Sequence, residues 1–154
     1  MNIFRTKDYE TIAKLNKTVQ DLHVELFPES FTPYHYESIR DFYKGIVDDQ
    51  RHIFLLVEQD TLPVGYVWMT IRESGDTPFK RAAKSLYIHQ ISVDETVSNQ
   101  GIGTKLIDYI EQMAKEISAT KIELDYWVDN TIARTFYQKR GFVIYREVVH
   151  KEFS

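Results

Sequence analysis

Apolar residues Ile12, Leu15, Val19, Leu22 and Leu26 recur at steps of three or four between Asp8 and Leu26, the stripe of an amphipathic helix. A short strand over 2–5 precedes it, the turn "FPES" ends it, and a weaker helix follows over 36–47. The period then drops towards two. "HIFLLVE" and "VGYVWMTI" read as strands of an antiparallel hairpin around the polar turn "QDTLP". After the polar stretch "RESGDTPFKRAAK" comes a strand, "SLYIHQISV", whose alternation sets Tyr87, His89 and Ile91 on one face and Ile88, Gln90 and Ser92 on the other. Ile102, Leu106, Ile110, Met113 and Ile117 mark a helix, and "KIELDYWV" marks a strand. The segment "NTIARTFYQKR" reads as a helix closed by a left-handed Gly141, and "FVIYREVVHKEF" as a final strand. The order β-α-α-β-β-β-α-β-α-β describes a mixed α/β (α+β) fold.

Composition narrows the class. A chain of 154 residues suits one domain over 1–154, and 43% hydrophobic with 27% charged residues is too apolar for disorder. No uncharged run is long enough for a membrane span, and "MNIFRTKDYE" carries charges where a signal peptide needs an apolar core, so a cytoplasmic protein without membrane partners is expected. The chain has no cysteine, which excludes disulfides, thiolate metal sites and a cysteine acyl-enzyme. His23, His35, His52, His89 and His150 show no metal-ligand spacing, so no metal is expected. A net charge of −4 argues against nucleic acid as a partner. Residues 1–50 hold nine acidic and six basic side chains, a mild bias towards a cationic small molecule or peptide amine.

Two of only six glycines stand one residue apart in "SNQGIG", where a strand gives way to a helix. A phosphate-binding P-loop needs Gly-Lys-Ser/Thr, but Gly103 is followed by Thr104 and then Lys105. A dinucleotide fingerprint needs a third glycine at Leu106. What remains is a loop of small residues whose backbone N–H groups, at a helix N-terminus, can hold an anion such as a pyrophosphate.

A second motif, "NTIARTFYQKRGF", joins the first. With "ISVDETVSNQGIG" it resembles the paired signatures of the GNAT acyltransferase superfamily, a strand ending in Val, then (Q/R)-x-x-G-x-(G/A) opening a helix, and later N-x-x-A-x-x-x-Y-x-x-x-G-F. Ser98 stands where that pattern carries Arg or Gln, so backbone donation is preserved while side-chain support of the pyrophosphate is in question.

The resemblance implies a central, mostly antiparallel sheet flanked by helices, with a splayed parallel strand pair holding acetyl-CoA as co-substrate. Ser98, Asn99, Gln100, Gly101, Ile102, Gly103 and Thr104 would cradle the pyrophosphate. Ile91, Ser92 and Val93 would offer backbone groups to the pantetheine arm, Asn130 would bond it, and Ala133 is small enough for its close approach. Tyr137 would act as general acid at the departing thiolate. The acceptor amine must be deprotonated, and His89 is the candidate base, while Glu123 and Asp125 can hold a cationic amine instead. The N-terminal half would shape the acceptor cleft through His23, Phe27, Phe31, Tyr34 and Tyr36. The implied activity is acetyl transfer to a primary amine by direct attack in a ternary complex. The alternative is a non-catalytic acyl-CoA sensor, and a homodimer is left open.

Overall fold

The computed structural model describes residues 1–97 and 100–154. Its elements, in chain order, are β1 (Asn2–Arg5), α1 (Tyr9–Leu26), α2 (Tyr36–Lys44), β2 (His52–Gln59), β3 (Leu62–Ser74), β4 (Ala83–Val93), α3 (Ile102–Glu116), β5 (Lys121–Leu124) and α4 (Thr131–Lys139). Asp8 caps α1 by accepting from the Thr11 N–H at 3.0 Å, a bond worth about 1 kcal/mol. The hairpin loop is only Asp60 and Thr61, both at positive φ, as in a type I′ turn whose twist matches the flanking strands.

The sheet runs in the order β1-β2-β3-β4-β5, antiparallel except for the parallel β4–β5 pair. Helices cover both faces. On one, Leu106, Ile107 and Ile110 of α3 pack onto Leu55, Val67, Met69 and Leu86. On the other, Ile12 and Ala13 of α1 and Tyr43 of α2 meet Phe54 and Tyr66. Each fully buried aliphatic side chain contributes about 1.5–3 kcal/mol, which is why these helices dock where their stripes point.

One expectation about β4 is corrected. Trp68 pairs with Gln90 but Met69 pairs with Ile88, so His89 is the extra residue of a β-bulge. One inserted residue reverses the alternation beyond it. Ile88 therefore joins Ile91 and Val93 on the α3 face, while Gln90 and Ser92 lie on the α1 face, reached by Asn16 and the Leu15 carbonyl. His89 stacks on Trp68, which packs against the α1–α2 core.

Two further boundaries differ. The strand expected over 121–128 ends at Leu124, because the chain diverges from β4 there. The expected final strand over 142–153 does not form. That run is rich in strand-forming residues, but a strand needs a partner edge, and residues 143–154 make no backbone–backbone hydrogen bond among the described residues.

Candidate active site

The site forms where β4 and β5 part. Their parallel ladder runs from Ser85–Lys121 to Ile88–Leu124 and stops, while β4 continues through Val93. From His89 to Val93 the β4 edge facing β5 is therefore unpaired by any strand among the described residues. Unpaired backbone N–H and C=O groups in a cleft are strong hydrogen-bonding sites.

Beyond Val93 the chain turns into α3. Ser98 and Asn99 lie outside the described residues. Gly101, the residue before α3, has φ +75, a left-handed conformation that glycine adopts without penalty, and no side chain caps the helix there. Gly101 thus offers the first-turn N–H groups of α3 no side-chain acceptor of its own, and the helix dipole adds partial positive charge. Gln100 is exposed and Ile102 is buried beneath the turn. Gly103 serves packing: a Cβ there would sit 3.0 and 3.1 Å from Cζ and Cε2 of the Phe136 ring. Arg140, which the motif reading did not single out, donates from Nη2 to Thr104 Oγ1 and brings a cation to this turn.

The second motif has a local geometric meaning. Asn130 caps α4 through its side-chain oxygen, which accepts from the Ala133 N–H at 3.2 Å. At the other end Gly141 has φ +85, its N–H donates to Gln138 O, and the Phe142 N–H donates to Tyr137 O, both at 3.1 Å. This is a Schellman closure, and its characteristic apolar contact is the Phe142 ring packed edge-on against Tyr137, with centroids 5.5 Å apart. The spacing Tyr-x-x-x-Gly-Phe therefore clamps the Tyr137 ring, which also stacks on Tyr126 and meets Phe136. Burial pushes the Tyr137 hydroxyl up to about 12, so it stays protonated and able to donate throughout the neutral range.

On the α1 face a polar network runs beneath the sheet. The hydroxyls of Tyr43 and Tyr66 both donate to Gln90 Oε1, at 2.6 and 2.7 Å, and Asn16 Nδ2 donates to the Tyr66 hydroxyl at 2.8 Å. Burial pushes Tyr43 up to about 12 and Tyr66 well above the ordinary phenol range. Asn16 is 2% exposed, and its Oδ1 has no hydrogen-bond partner among the described residues. Asn16, Phe42, Tyr43, Trp68 and Gln90 line a cavity of about 260 Å³ between α1, α2 and the sheet. A polar residue one turn after Ile12, within the apolar stripe of α1, was the sequence signal for this network.

His89 lies at the rim of this surface. Its ring stacks on Trp68 at 4.3 Å and hydrogen-bonds Thr70 Oγ1, while Trp68 Nε1 donates to His52 Nδ1 at 3.0 Å. Desolvation, then the charges of Arg72 and His52, lower His89 to about 4. It is neutral at pH 7 but a weak base. Asp125 accepts from the Tyr87 hydroxyl, and the Arg72 guanidinium lies 3.6 Å from the Tyr87 ring centroid. Burial, then the bond to Asp125, pushes Tyr87 up to about 12. Glu123 sits across the ladder from Tyr87.

The remaining acceptor candidates separate into two groups. His23 stacks on Phe31 at 4.6 Å, and Phe27 stacks on Trp127 at 4.6 Å, so the end of α1 bridges to the segment after β5. Burial lowers His23 below the usual imidazole value. Tyr34 lies apart from that cluster, its hydroxyl donating to Ala13 O at 2.7 Å, and Tyr36 begins α2. Among the described residues no group of His, Asp and Glu side chains is placed to hold a metal ion.

A family model described as the acetyltransferase (GNAT) family matches residues 16–142. The chain is 28% identical over 148 residues to an uncharacterised N-acetyltransferase, MJ1207, of Methanocaldococcus jannaschii, a match covering 92% of this chain and 64% of that one. It is 44% identical over 52 residues to the uncharacterised YdhI of Bacillus subtilis, covering 34% and 32% respectively. The chain thus spans less than two thirds of the length of these curated relatives. Among solved structures, a tetramutant of BH1408 from Bacillus halodurans superposes with a TM-score of 0.92 at 23% identity, covering 99% of this chain and 100% of that one. The aminoglycoside N-acetyltransferase AAC(6')-Iy in complex with CoA superposes with a TM-score of 0.71 at 14% identity, covering 99% and 93%. At these identities the likeness is one of fold.

Proposed function

The chain belongs to the acetyltransferase (GNAT) family, and from that premise we propose that it transfers acetyl from acetyl-CoA to a primary amine of a small molecule or peptide, by direct attack in a ternary complex. The observation that carries this reading is the unpaired β4 edge from His89 to Val93 beside the uncapped start of α3. A pantetheine arm has amides spaced to add to such an edge like a strand, and a pyrophosphate suits the N–H groups of the α3 turn. Arg140 stands ready to supply the cation that the loop position Ser98 does not.

In this reading Tyr137 donates a hydrogen bond to the departing thiolate, held in place by Phe136, Phe142 and Tyr126. The acceptor approaches on the α1 face, over Trp68 and Gln90, where the orphan Asn16 oxygen favours a ligand bearing N–H groups. A lysine-like amine titrates near 10.4, so a direct transfer to His89 is strongly uphill; His89 acts through water, or by orienting the amine with Thr70. Glu123 and Asp125 draw a cationic acceptor towards the cleft by charge. The test is thiol release from acetyl-CoA across a panel of polyamines, arylalkylamines, aminoglycosides and peptide amines. Turnover with at least one class is expected. Tight acetyl-CoA binding without turnover on any amine would replace the enzyme with an acyl-CoA sensor.

A further inference from the structure

The cavity between α1, α2 and the sheet has walls of one kind and a floor of another. Phe42, Tyr43 and Trp68 wall it with their rings, together with Ile39, and Asn16 and Gln90 form its polar floor. Among the described residues no Asp, Glu, Lys or Arg lines it. The charges of α1 and α2 pair with one another instead, Lys17 with Asp21 and Arg40 with Asp41. At about 260 Å³ the cavity has room for roughly nine heavy atoms, counting about 30 Å³ for each as for a water molecule in the liquid. That is one ring or two fused rings, and far less than an aminoglycoside.

The floor is short of one donor. The Tyr43 and Tyr66 protons both go to Gln90 Oε1, and Asn16 Nδ2 donates to the two hydroxyls, so Asn16 Oδ1 is left buried without a partner among the described residues. Other polar groups of the lining are already spent: Gln20 Nε2 donates to Thr32 O at 2.6 Å, and His35 Nδ1 meets Ser38 Oγ at the cap of α2. An orphaned buried amide oxygen is costly, and an uncharged N–H or O–H of a ligand relieves it. A carboxylate placed there would set two acceptors against each other. A second ammonium would lose its water with no anion to replace it.

We propose that the acceptor in the acetyl transfer inferred above, on which this rests, is an arylalkyl monoamine. Its ring fills the cavity against Phe42 and Trp68 and gives an uncharged N–H or O–H to Asn16 Oδ1, while its one amine turns towards the β4 edge. The ammonium gives one proton to water, and its nitrogen bonds the acetyl carbon as the carbon–sulfur bond breaks. The second nitrogen proton balances the one taken by the thiolate, leaving the amide and the free thiol of CoA. Tyramine and phenethylamine differ only by the hydroxyl that the floor would read. With acetyl-CoA, tyramine should exceed phenethylamine in kcat/KM by at least about fivefold, and spermidine by at least about tenfold. The same order of affinity for the CoA-saturated protein is expected in calorimetry, which needs no turnover. Asn16→Leu removes the orphan oxygen and should bring the tyramine-to-phenethylamine ratio down to about one. Phe42→Glu sets a carboxylate at a half-exposed wall position and should narrow the gap to spermidine. Equal kcat/KM for tyramine and phenethylamine, or a preference for spermidine or an aminoglycoside, overturns the proposal while acetyl transfer stands. Turnover of no amine, with tyramine still bound at least about fivefold more tightly than phenethylamine, overturns acetyl transfer and upholds the ring and donor assigned to the cavity. With neither turnover nor that preference, both fall.

Discussion

At the residue scale, the proposed chemistry rests most on Tyr137, and the surroundings of that ring make its hydroxyl separable from the fold. Tyr137→Phe keeps the ring that packs on Phe142 and Tyr126 and removes only the hydroxyl. Acetyl-CoA affinity should stay level while the single-turnover rate falls by roughly 10²- to 10⁴-fold, the usual contribution of a positioned proton donor. A variant that keeps the full single-turnover rate would reduce Tyr137 to packing. His89 makes a prediction through pH. It titrates near 6.5 in the unfolded chain and at about 4 in the folded one. Between those values the unfolded chain binds the extra proton, so stability falls as pH drops through that window, and His89→Gln should flatten this dependence in urea titrations. Any acid limb of activity governed by His89 belongs near 4, and a limb near 6.5 that persists in His89→Gln belongs to another group.

At the element scale, the glycines of the two motifs do different work, and substitution tells them apart. Gly141 has open space where a Cβ would go, so Gly141→Ala meets only the left-handed backbone penalty, about 1 kcal/mol or roughly 2–4 °C in Tm. Its acetyl-CoA affinity should hold. Gly103→Val pushes into the Phe136 ring and into the turn proposed for the pyrophosphate. It should cost about 1–3 kcal/mol of stability by overpacking and weaken acetyl-CoA at least about tenfold in calorimetry below its Tm. Unchanged affinity in a folded Gly103→Val protein would detach the α3 turn from the cofactor. The left-handed end of α4 at Gly141 was legible in the sequence, because a helix C-terminus is decided by neighbours in sequence. The packing duty of Gly103 was not, because Phe136 reaches it from another helix.

At the scale of the whole molecule, a cofactor that binds only the folded chain stabilises it by mass action. Acetyl-CoA at about 100 times its dissociation constant should add about 2.7 kcal/mol, roughly 5–11 °C in Tm for a chain of this size. A scan that does not move would count against the β4–β5 cleft as the cofactor site. Local rules written in the chain determined much of this protein: the stripes of α1 and α3, the caps Asp8, Asn130 and Gly141, the hairpin and the two motifs all act over a few residues. Tertiary structure alone decided the rest. The bulge at His89 reversed which face Gln90 and Ile88 occupy, because register is settled by pairing with β3 and not by alternation within β4. It joined Asn16 to Tyr43, Tyr66 and Gln90 across long separations, and Phe27 to Trp127. It also left the run from Val143 to Phe153 without a ladder, because strand propensity is local whereas the edge that satisfies it must come from elsewhere in space.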